Sequence, residues 1–142
     1  MKQILVGVDG SPESRAAVDY ASKLARETGR GLVLAYVAEP PLPMDLVPMQ
    51  SDEELRLWAQ KVLDGFASRA ARTGLSVTTA VLSGPVAETL AEAALEASID
   101  FVVVGHRDRS AVTRALLGSV ADRLAQISPK PLLLVPENSQ AA

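Results

Sequence analysis

Apolar positions along the chain fall into two alternating patterns. Five short runs are rich in β-branched and aliphatic residues, at 4–8, 32–37, 75–82, 101–104 and 132–135. Runs of this length, bounded by Gly, Pro, Asp or Ser, predict strands, and the near-continuous ones suit strands covered on both faces. Between them the apolar residues recur at helical spacing. Ala17, Tyr20, Ala21, Leu24 and Ala25 make the first stripe, with Ser11 as N-cap, Pro12 at the first helical position and Gly29 as the stop. Leu55, Trp58, Val62, Phe66 and Ala70 make the second, opened by the capping box Ser51-Asp52-Glu53-Glu54 and closed by Gly74. At this spacing Trp58 and Phe66 are expected to pack in a core or interface, not to stack on bases. Val86, Leu90, Ala94 and Leu95 follow Gly84-Pro85 as the third stripe. Val112, Leu116, Val120, Leu124 and Ile127 form the last, broken at Pro129.

Strand–helix alternation predicts an α/β chain: a doubly wound five-stranded parallel sheet with right-handed crossovers and helices on both faces. The pattern reads as one domain over 1–142, with no internal repeat and no second-domain linker. Segment 39–50 carries four prolines, which forbid regular structure. Its Leu42, Met44, Leu46, Val47 and Met49 are more apolar than a plain surface loop needs, as a lid or a partner contact would be. The polar tail, 137–142, is expected to fray.

Composition then removes several functions. The 142 residues carry 14 Lys and Arg against 17 Asp and Glu, a net charge of −3. No nucleic-acid partner is expected, because a basic footprint is missing. Cysteine is absent and His106 is the only histidine, which excludes disulfides, thiol nucleophiles and multi-histidine metal sites. No apolar run approaches the ~20 residues of a membrane span. The opening MKQILVGVDG lacks the long apolar stretch of a signal peptide, so no membrane association and a cytoplasmic location are expected.

Candidate chemistry gathers where strands end. Ligands of such sheets sit beyond the carboxyl ends of the strands, where the strand order reverses. The first strand ends in Asp9-Gly10-Ser11 and the fourth in Gly105-His106-Arg107-Asp108, whereas the third ends in a plainer Ser83-Gly84-Pro85. This contrast favours the order 3-2-1-4-5 over a flavodoxin-type order. Gly118-Ser119 precedes a helix start at Val120, where backbone N–H groups can hold an anion. Arg107, Arg109 and Arg114 add positive charge in the same stretch. Neither a Walker A loop nor Gly-x-Gly-x-x-Gly is present. Asp9 and Ser119 also suit simple capping, and the arginines simple surface pairing. No Gly-x-Ser-x-Gly elbow supports a catalytic Ser11, Ser119 or His106, so an enzyme is not expected.

Three features together resemble the universal stress protein family along nearly the whole chain. They are Val8-Asp9-Gly10-Ser11 at the end of the opening strand, the closing PKPLLLVP, and Gly105 followed at a distance by Gly118-Ser119. The family's ATP-binding members carry Gly-x2-Gly-x9-Gly-Ser/Thr; here Asp108 replaces the second glycine. The resemblance implies a 3-2-1-4-5 sheet with ATP or another adenine nucleotide between strands one and four, accompanied by Mg2+. By position, Asp9 would meet the adenine or ribose, and Val37 would offer backbone to adenine. Gly105, Gly118, Ser119 and Val120 would line the ribose and phosphates, with the charge of Arg107 beside them. Asp108 is expected to weaken ATP binding without abolishing it. The implied function is stress-response regulation through nucleotide and an unidentified protein partner. Strand 132–135 would lie at an apolar sheet edge, and pairing with its copy in a homodimer would cover that edge. The alternative is a dimeric stress protein that binds no nucleotide and acts through protein partners alone.

Overall fold

The computed structural model describes residues 1–39, 52–106 and 119–137. The elements run β1 (Gln3–Val8), α1 (Pro12–Thr28), β2 (Gly31–Ala38), α2 (Asp52–Ala71), β3 (Val77–Ser83), α3 (Val86–Ala93), β4 (Ile99–His106), α4 (Ser119–Ile127) and β5 (Leu132–Pro136). All five strands join in one parallel sheet of order β3-β2-β1-β4-β5. This is the expected order. In register, Val8 lies beside Tyr36 of β2, and Gly7 beside Val104 of β4.

Alternate residues of each strand feed two separate cores, as the period of two requires. On the face covered by α1 and α2, Ile4, Val6, Leu32, Leu34 and Val103 meet Ala17, Ala21, Ala25 and Leu63. On the face covered by α3 and α4, Leu5, Ala35, Val102 and Val104 meet Leu90 and Leu124. Each fully buried Leu or Val contributes about 1.5–3 kcal/mol, so this double burial dominates the stability of the fold.

The strands extend a residue or two past their apolar runs, because sheet pairing continues through polar positions such as His106. At the start of β3 the reverse holds, and Leu75 precedes the strand. One expected core residue is corrected. Helix α3 ends at Ala93, and Leu95 beyond it is 66% exposed. Trp58 is 48% exposed, although Leu63 and Phe66 further along α2 pack on the core. The expected loop 40–50, Ser51 of the capping box, Val112 and Leu116, and the tail beyond Glu137 lie outside the described residues.

Helix α1 is seated at both ends. The N-cap Ser11 is extended (φ −82°, ψ 159°), and its hydroxyl accepts the Ser14 N–H. Gly29 closes the helix in the left-handed conformation (φ 69°), its N–H donating to the Ala25 carbonyl. The first turn presses on β4 at Gly105. A Cβ there would lie 2.5 Å from the Glu13 carbonyl carbon and 2.9 Å from the Glu13 Cβ. Only glycine allows this approach. Gly105→Ala should therefore destabilise the chain by about 1–3 kcal/mol, the usual cost of overpacking. Urea denaturation measures it, and an unchanged midpoint would show that α1 yields without cost.

Candidate functional site

The carboxyl ends of β1 and β4 meet under the first turn of α1. The order reverses here, because β1 leads through α1 to β2 on one side while β4 arrives on the other. Asp9 follows β1 directly and is exposed. Its Oδ1 accepts the Ser11 N–H and the Ser14 hydroxyl, both at 2.8 Å, while its own N–H donates to Ser14 Oγ at 2.8 Å. Asp9 thus does the capping work that its position allowed, and its carboxylate is held in place by α1.

Ser14 completes this network, and the sequence reading missed it. It stands at the third helical position, is 4% exposed, and reaches back to Asp9 as an acidic residue does in a capping box. The spacing Asp9, Ser11, Ser14 was the available signal.

Tyr36 and Trp58 flank the same turn. Their rings meet edge to face, with centroids 5.8 Å apart and planes at 79°. The Trp58 ring also closes over Gly10, where a Cβ would sit 3.0 Å from the indole Cη2. Trp58 is therefore exposed because α2 begins at the carboxyl ends of the strands, where the sheet offers only its rim. Burial raises the Tyr36 phenol above its ordinary value, and the nearby Asp9 carboxylate raises it further.

The remaining site residues distribute as follows. Val37 and Val120 are partly buried against the same α3/α4-side core. Ser119 is the first residue of α4 and is exposed. Gly105 borders α1, and His106 ends β4, its carbonyl accepting the Glu137 N–H at 3.1 Å. The structure thus brings Asp9 and Gly105 to the first turn of α1, and Val37 and Val120 to one face. Arg107, Asp108, Arg109, Arg114 and Gly118 lie outside the described residues.

The Tyr36 environment is testable. A phenol whose pKa is raised on folding keeps its full contribution below the ordinary value near 10. The fold loses that contribution as pH climbs through the higher folded value. Tyrosinate absorbance should show a late-titrating phenol that Tyr36→Phe removes. Asp9→Asn should bring it part of the way back, because burial remains the larger cause. Superimposable titrations would mean that Asp9 does not face Tyr36.

Comparison with known proteins agrees with this fold. Universal stress protein YxiE of Bacillus subtilis is 29% identical over 94% of this chain and 97% of its own length. A universal stress protein of Mycolicibacterium smegmatis is 34% identical over 98% of this chain, which spans only 49% of that longer relative. A universal stress protein solved in complex with cAMP superposes with a TM-score of 0.73 at 27% identity, covering 94% of this chain and 96% of that one. The model of the universal stress protein family matches residues 1–136, and with this fold and these relatives the chain belongs to that family.

Proposed function

We propose that the chain binds an adenine nucleotide beyond the carboxyl ends of β1 and β4 and acts as a regulator rather than through turnover. The observation that carries this reading is the switch point itself, with Asp9 and Gly105 together at the first turn of α1. Val37, near the end of β2, offers its backbone to the base, and Val120 in the first turn of α4 lines the ribose and phosphates. The N-terminus of α4 at Ser119 supplies N–H groups and a partial positive charge for phosphate. A relative solved with cAMP supports the same ligand class. Among the described residues no three His, Asp or Glu side chains could hold a metal by themselves. Mg2+ therefore enters the proposal only as the counterion of a polyphosphate.

Asp108 tempers this reading, since it stands where the family motif has its second glycine. A carboxylate beside phosphates costs ~1 kcal/mol at 4 Å in water, and more where water is excluded. That residue also favours the second reading, a nucleotide-free member working through protein contacts. In both readings the chain forms a homodimer by pairing β5 with its copy. Leu132, Leu133 and Leu134 keep part of their surface exposed on that edge strand, which supports the pairing.

Titration calorimetry decides between the two readings. ATP should bind the wild type, Asp9→Ala should weaken it, and Asp108→Gly should tighten it by about tenfold. Thermal melts of the same variants separate a binding loss from a folding loss. A wild type and Asp108→Gly variant that both leave ATP unbound would favour the protein-contact reading. For the dimer, Leu133→Lys should yield monomers in sedimentation at micromolar concentration, and a wild type that is already monomeric would remove the β5 pairing.

A further inference from the structure

Gly10 stands between Asp9 and Ser11 in the turn that leads from β1 into α1. Its backbone conformation does not call for glycine. Among the described residues the glycines with positive φ are Gly29, Gly74 and Gly84. A Cβ built on Gly10 meets, among the described residues, one side chain within 4 Å. That neighbour is the outer edge of the Trp58 indole, with Cη2 at 3.0 Å and Cζ2 at 3.6 Å. The glycine therefore makes room for this ring. Tyr36 sets the ring's orientation by meeting it edge to face, and Tyr36 itself lies in register beside Val8, the residue before Asp9.

The Asp9 carboxylate depends on this turn. The bond from the Ser11 N–H to Asp9 Oδ1 closes over Gly10 and is exposed. Water competes for such a bond, so it contributes little by itself. Glycine is also the link of the turn with the most conformational freedom to lose. Trp58 lays apolar surface on that link, from a helix seated on β2 and β3.

We propose that Trp58 is a positioning residue for the nucleotide: by holding Gly10 it keeps the Asp9 carboxylate where the ligand meets it. This inference rests on the nucleotide reading above and assigns that site a support outside the strand ends. Binding groups are held in place by neighbours whose own rotamers are locked by packing. Tyr36 supplies that lock for the indole. In this role Trp58 acts through Asp9 and needs no contact with the ligand.

Trp58→Phe keeps a ring beside Tyr36 and is too short to reach Gly10. In the ligand-free chain, amide exchange at Asp9, whose N–H donates to Ser14 Oγ, should quicken about fivefold. Val6, buried inside β1, should keep its wild-type rate. Calorimetry should show AMP and ATP weakened alike, by about fivefold, because the loss lies at Asp9 and not at the phosphates. In an Asp9→Ala background Trp58→Phe should cost no further affinity, as a residue acting through Asp9 requires. Adding Gly10→Ala to Trp58→Phe puts a methyl group into the vacated space, and should recover both the slow exchange and the affinity. The proposal is overturned by wild-type exchange at Asp9 in Trp58→Phe, or by an affinity loss that persists in full beside Asp9→Ala. A loss that Gly10→Ala leaves untouched overturns it too. A wild type that binds neither nucleotide removes the nucleotide reading alone, and exchange at Asp9 then decides whether Trp58 holds the turn.

Discussion

The whole arrangement depends on how closely the first turn of α1 approaches the end of β4. A parallel sheet covered on both faces needs the chain to turn sharply after β1 and run back over the strands. Here the turn is made by Asp9, Ser11 and Ser14, which bind one another in a closed set of hydrogen bonds. Gly105 then lets the Glu13 backbone rest where a side chain would stand. Capping interactions of this kind contribute about 1 kcal/mol each. The burial of Ile4, Val6, Val103 and the alanines of α1 contributes far more in sum. The small terms matter because they set position: they fix Asp9 at the strand ends.

The strand order was readable because chemistry-bearing residues sit at the ends of β1 and β4 and nowhere comparable on β3. The helices were readable through Ser11, Pro12 and Gly29, whose backbone roles are local. The exposure of Leu95 and of Trp58 was unreadable for one shared reason. Helical spacing tells which side of a helix is apolar, and it does not tell where the sheet beneath it stops. Leu95 falls past the end of α3, and Trp58 stands on the rim at the start of α2.

The candidate site was legible in its names more than in its contacts. Asp9 stood out as the polar end of an apolar strand, and its capping bonds are those the spacing allows. Gly105 stood out as well, yet its neighbour is Glu13, ninety-two residues earlier in the chain, and no local pattern encodes that contact. Ser14 was overlooked because serines are common in helix first turns, although its spacing from Asp9 and Ser11 carried a signal.

The central claim is that the strand ends of β1 and β4 form a site for an adenine nucleotide. Backbone amide shifts in two-dimensional nuclear magnetic resonance spectra, recorded as AMP and then ATP are added, test it residue by residue. The account predicts saturable changes concentrated at Asp9, Val37, Gly105, Ser119 and Val120, with the N-terminal amides of α4 moving more for ATP than for AMP. Spectra unchanged by either nucleotide, or changes confined to residues away from these strand ends, would contradict it.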